Sequence, residues 1–212
     1  MPVKTVMLPG RVEVEMVWCP VGGGGVWRGK TEVTQAQWES VMGANPSHFK
    51  GRDLPVESVS WNDCRLFVER LNRLPCSRAN GLTFRLPTDA EWRVACLAGG
   101  EMDVDFYRLA DGTEITAENL DRVAWAGENW NMGSTHPVGQ KEPNAWGLHD
   151  MFGNVWEWTQ TAKEGKYASR GSGVFNPAEN YGGWRTLNLE WPEHACQNHG
   201  FRLAADGESV AK

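Results

Sequence analysis

The sequence predicts an α+β fold, and three observations carry that reading. One early run alternates apolar and polar residues as a half-buried strand does. Three later segments open with the same helix-capping signature. Beyond Gly100 helical periodicity is lost, and glycine, asparagine, proline and tryptophan dominate.

In the alternating run, Val12, Val14, Met16 and Trp18 share one face of a strand over Val12–Trp18. Gly22 to Gly25 then read as a hairpin loop into a short strand at Val26–Trp27. The three helix starts are Thr34, Ser60 and Thr88, followed three residues on by Gln37, Asp63 and Glu91. In such a pair the hydroxyl caps a free N–H of the first turn and the longer side chain reaches back to the cap. The first helix is predicted to reach Met42, stopped by Gly43 and Pro46. The second is predicted to reach Leu74, with Cys64, Phe67, Val68, Leu71 and Leu74 at helical spacing and Pro75 beyond. Thr83–Leu86 reads as a short strand feeding the third helix, which runs to Leu97 before Gly99 and Gly100. The second half offers three short strands, Val155–Thr159, Ser169–Phe175 and Gly200–Ala204, joined by long loops. Long ordered loops usually carry function or are held by a ligand or metal.

The net charge of −6 argues against a nucleic-acid or anionic-membrane partner, because phosphate binding needs a basic surface. No apolar run approaches the ~18 residues of a membrane helix. The N-terminal MPVKTVMLPGRVEVEMVWCP lacks a charged start followed by an apolar stretch, so no secretory signal is expected and the chain reads as cytoplasmic. The five scattered cysteines, with no CxxC, read as reduced thiols. GGGG lacks the Lys-Ser or Lys-Thr of a phosphate loop, and neither GxSxG nor HExxH occurs. The five histidines (His48, His136, His149, His194, His199) form no close pair on a helical face.

Three stretches carry a resemblance: KTEVTQAQWESVMGANPSHFKGRDLPVESVSWNDCRLFVERLN (Lys30 to Asn72), FRLPTDAEWRVACLAG (Phe84 to Gly99) and THPVGQKEPNAWGLHDMFGNVWEWTQT (Thr135 to Thr161). With SRGSG (Ser169 to Gly173) and HGFRLAAD (His199 to Asp206), they resemble the formylglycine-generating-enzyme, or sulfatase-modifying-factor, domain. The resemblance covers most of the chain and implies a single domain over residues 1–212. Its fold would be a C-type lectin fold of the formylglycine-generating-enzyme type: two to three helices around small twisted antiparallel sheets, with long irregular loops. Three functional classes share that fold. One oxidises a sulfatase cysteine to formylglycine with copper held by two cysteines. A second joins sulfur to a histidine derivative with iron and an extra helical domain. A third is non-catalytic and includes the variable proteins of diversity-generating retroelements, whose C-terminal segment is mutagenised into new binding surfaces.

In the oxidising enzymes the two cysteines follow a strand that here matches Arg170 to Gly173. Their positions fall near Phe175 or Asn176 and near Asn180 or Tyr181. No cysteine lies between Cys96 and Cys196, so copper and catalysis are not expected. The resemblance also implies a structural calcium in GLHDMFGNVWEW, with Asp150 and Glu157 giving side chains and Gly153 and Val155 giving carbonyls. The alternative is a metal-free turn in which Asn154 and Glu157 cap backbone groups.

Without the enzyme cysteines, residues 170–202 resemble the variable region of retroelement-diversified proteins. The expected ligand-binding residues are Phe175, Asn176, Asn180, Tyr181, Trp184, Asn188, Glu190, Trp191, His194 and Asn198. Aromatics bring rigid contact area and asparagines adaptable hydrogen bonds. The expected partner is a protein or glycan, with display on a phage or cell surface open, and one of Trp184 and Trp191 is expected to be buried. The remaining alternative is a divergent oxidase of the same family.

Overall fold

The computed structural model describes residues 1–99, 107–109, 111–116, 118–127, 133–176 and 187–209. A five-stranded sheet is built from β1 (Val3–Leu8), β2 (Val12–Cys19), β3 (Val26–Gly29), β4 (Thr83–Arg85) and β13 (Ala204–Asp206) in the order β1-β2-β3-β13-β4. A four-stranded sheet follows the order β11-β10-β9-β12, from β9 (Trp156–Lys163), β10 (Lys166–Arg170), β11 (Asn188–Glu190) and β12 (His199–Phe201). Two small pairs complete the strands: β5 (Tyr107–Arg108) with β6 (Glu114–Ile115), and β7 (Ala124–Trp125) parallel to β8 (Phe152–Gly153). The helices are α1 (Gln35–Met42), α2 (Trp61–Arg73), α3 (Pro75–Ala79) and α4 (Asp89–Cys96).

All three capping signatures form reciprocal boxes. At α1 the Gln37 amide donates to Thr34 Oγ1 at 3.2 Å, and Gln37 Oε1 accepts from the Thr34 amide at 3.0 Å. Gly43 ends that helix in the left-handed region, φ 85°, which a Cβ would resist. Leu74 is extended because Pro75 follows it, and Pro75 then opens α3 at its first position, where a missing N–H costs nothing. That short helix was not expected, and neither was β1, whose buried Val6 and Leu8 pair with β2.

Two expected strands are displaced. The strand predicted over Ser169–Phe175 is β10, which ends at Arg170, because Gly171 (φ 95°) and Ser172 (φ 64°) turn left-handed and break the ladder. The strand predicted over Gly200–Ala204 is two strands. β12 pairs with β9 in one sheet, β13 lies between β3 and β4 in the other, and the chain crosses between them at Arg202.

Two apolar clusters fill the interior. Trp27, Trp38, Phe67, Phe84, Trp158 and Phe201 belong to the first, where Trp38 stacks on Phe67 with ring centroids 5.3 Å apart. Trp92, Cys96, Leu148 and Met151 belong to the second. The loops between the strands are held by buried polar side chains. Asn144 Oδ1 accepts from the amides of Trp146 and Leu148, while its Nδ2 donates to the carbonyls of Ala95 and Cys96. Such fully paired groups supply what ladder bonds would supply in regular structure. Among the described residues no helix is long and apolar enough to cross a membrane.

Candidate ligand-binding face

The C-terminal segment returns to the four-stranded sheet as β11. Tyr167 faces Glu190, Ala168 faces Leu189 and Ser169 faces Asn188 in an antiparallel pair with β10. Just past the end of β11, Trp191 is 56% exposed. Lys166 Nζ lies 5.3 Å from its ring centroid. Gly165 lies beneath it, since a Cβ there would reach Trp191 Cζ3 at 3.4 Å. Leu187, at the other end of β11, is also exposed. Trp61, at the start of α2, stacks on Tyr167 at 3.7 Å between centroids, and both rings are half-buried. The indole of Trp191 and the Lys166 side chain stand on one side of the β10–β11 ladder, while the Trp61–Tyr167 pair packs against the core.

Of the expected contact residues, Trp191 is exposed, and Asn188, Glu190 and His194 are half-buried. Asn180, Tyr181 and Trp184 lie outside the described residues. Three others do not point outward. Phe175 is buried at 7% exposure, its ring 6.1 Å from that of Phe49. Asn198 is buried, and its Oδ1 lies 3.0 Å from His199 Nδ1. Asn176 is half-buried and builds a turn: its Oδ1 accepts from the Gly173 amide at 2.8 Å and from Trp156 Nε1 at 3.0 Å. The composition of the segment suggested contact chemistry, but buried asparagines that tie loops together have the same composition. Lys166, against the Trp191 ring, was missed, because it reads locally as an ordinary strand residue.

The expected calcium ligands are built into another arrangement. Glu157 is 1% exposed and its carboxylate is already taken. Oε1 accepts from Arg202 Nη2 at 2.7 Å and Nε at 3.0 Å, while Oε2 accepts from Trp92 Nε1 at 2.6 Å. Arg202 also donates to the carbonyls of Gly29, Lys30, His149 and Asp150. Asp150 accepts from the Gly139 amide through Oδ2, and burial pushes its carboxyl up. The guanidinium thus gathers loop carbonyls around a carboxylate, the role a calcium would fill, and Glu157 has no room for a second cation. In the expected set of Asp150, Gly153, Val155 and Glu157, the ion pair occupies Glu157, while Asp150 Oδ1 is buried with no hydrogen-bond partner among the described residues. Neither added calcium nor a chelator is expected to move the thermal midpoint of the chain; a calcium-dependent rise that Glu157→Gln abolishes would restore the metal.

The five cysteines differ in their access to solvent. Cys19, Cys64 and Cys96 are buried, and burial pushes the Cys19 thiol up to about 12 and the other two well above their ordinary value. Only Cys76 and Cys196 are half-buried. An alkylating reagent should therefore add to Cys76 and Cys196 in the native chain and to all five cysteines after unfolding, as read by intact mass.

Known proteins share this architecture. Residues 21–207 match the sulfatase-modifying factor enzyme 1-like domain. Chaperone protein LppX of Paenibacillus barcinonensis is 38% identical over 176 residues, covering 61% of this chain and 60% of its own. Inactive C-alpha-formylglycine-generating enzyme 2 of Bos taurus is 29% identical over 189 residues, covering 82% of this chain and 57% of its own. The chain thus spans little more than half the length of these relatives. Among solved structures, Treponema denticola variable protein 1 superposes with a TM-score of 0.79 at 26% identity, covering 96% of this chain and 99% of that one. Major Tropism Determinant M1 Variant shares the fold alone, with a TM-score of 0.56 at 11% identity over 97% of this chain and 55% of that one. The resemblance drawn from GNVWEW, RLPTDAEW and GFR therefore holds, and with it the C-type lectin fold of the formylglycine-generating type. The chain belongs to the sulfatase-modifying factor enzyme 1-like family, whose relatives include both enzymes and a protein named as inactive.

Proposed function

We propose that this chain is a non-catalytic ligand-binding protein, of the kind that retroelements diversify, and that it holds a protein or glycan against the β10–β11 face. The observation that carries the reading is Trp191, an indole 56% exposed just past the end of β11 inside the segment that resembles a variable region. The likeness to a protein named as variable supports it. So do Phe175 and Asn176, which put a buried ring and a turn-forming amide near one of the two positions where the oxidising enzymes would hold copper. A face of this kind binds through a few aromatic anchors in a polar surround.

The test has two arms. With copper and a cysteine-containing sulfatase-motif peptide, the chain should form no aldehyde; turnover would overturn the reading in favour of the oxidase. In the source DNA, an imperfect repeat of the codons for Gly173 to His199 beside a reverse transcriptase gene should be found. Its absence would remove diversification.

A further inference from the structure

His194, Cys196 and His199 belong to no expected metal set, and their ligand atoms all fall within 4.8 Å of one another. The fold brings them together by two backbone turns. The His194 amide donates to the Trp191 carbonyl at 2.9 Å, and the His199 amide to the Cys196 carbonyl at 2.9 Å. The same Cys196 carbonyl accepts from the Ser58 amide at 3.0 Å, which ties the turn to the body of the chain. His199 sits in β12, where it pairs with Trp156 of β9 and is only 4% exposed. One ligand is thus fixed on a buried strand and two come from a held turn that reaches the surface.

We propose that these three side chains form a zinc site, an inference that does not rest on the ligand-binding reading although His194 is common to both. Two imidazoles and a thiolate are a donor set that zinc takes and that calcium and magnesium do not. Zinc bonds of about 2.0–2.1 Å to nitrogen and 2.3 Å to sulfur set tetrahedral ligands ~3.3–3.7 Å apart, so the cluster needs only a small contraction. Half-buried His194 and Cys196 can supply it. His199 also carries the outer partner such ligands use: its Nδ1 faces Asn198 Oδ1 at 3.0 Å, which fixes the ring and makes Nε2 the nitrogen that would bind the metal. Nε2 lies 3.1 Å from Asn188 Nδ2, an amide that the metal would displace. Three protein ligands leave a fourth position for water or for a side chain of a bound partner.

The full chain, reduced and freed of metal, is titrated with zinc against a chromophoric chelator, and separately with cobalt(II). One equivalent of zinc should bind, and cobalt should give the thiolate charge-transfer band and intense visible bands of a tetrahedral sulfur-ligated ion. Zinc should protect Cys196 from alkylation while Cys76 still reacts. Cys196→Ser should abolish the charge-transfer band. His194→Ala, with its circular dichroism unchanged, should weaken zinc by more than the roughly 100-fold seen for outer-partner losses. No stoichiometric zinc, or binding that both variants keep, would overturn the site.

Discussion

Glu157→Ala should lower the stability of the chain by about 3–5 kcal/mol, the cost of leaving a buried guanidinium without its counter-charge. Glu157 and Arg202 are 1% and 0% exposed and meet at 2.7 Å. Arg202 would keep its carbonyl partners but lose the one charge paired with it directly among the described residues. Arg28 makes the loss larger. It is also fully buried, its guanidinium finds no hydrogen-bond partner among the described residues, and burial pushes it down to about 10. The charge of Glu157 is the largest influence opposing that burial. Removing one carboxylate therefore takes from two buried cations the strongest charge that favours them. The fall should appear as a lower urea midpoint with an unchanged slope. A single Glu157→Ala costing under about 1 kcal/mol would show that water reaches the pair.

Gly153→Ala should be comparably severe, for a steric reason. Gly153 has φ 74°, and a Cβ there would fall 2.0 Å from the Trp125 carbonyl oxygen. Neither atom can yield, because β7 and β8 pair at this point and Asn154 donates its amide to the same Trp125 carbonyl at 2.9 Å. Gly22→Ala is the control. Its φ is 58°, also left-handed, but nothing lies within 4 Å of the new Cβ. It should cost about 1 kcal/mol, the backbone term alone, whereas Gly153→Ala should reach the range of the most damaging single substitutions, about 4 kcal/mol. Equal thermal midpoints for the two variants would mean the 152–154 turn can move aside.

The helices were legible because their signals are local. A capping pair and an apolar stripe lie within one or two turns of chain, so Thr34, Ser60 and Thr88 each marked a start that the structure keeps. The ends of β10 and β12 were less legible. Nothing near Ser172 announces its positive φ, and nothing near Arg202 says that the chain changes sheets there. The candidate face was legible only in part. Trp191 stood out as a large ring in a polar stretch, while Phe175 and Asn198 had the same local character and turned inward.

The sequence by itself determined the family, the helix starts and the absence of the paired cysteines that copper oxidation requires, because each is a matter of which residues stand at which spacing. The tertiary structure decided what fills the expected calcium turn. Arg202 and Glu157 are 45 residues apart, and only folding brings them together. It also decided that His194, Cys196 and His199 converge, through a turn tied at the Cys196 carbonyl by the Ser58 amide from a distant part of the sequence. Burial and convergence depend on the other elements that close over a residue, and a linear pattern carries no measure of that closure.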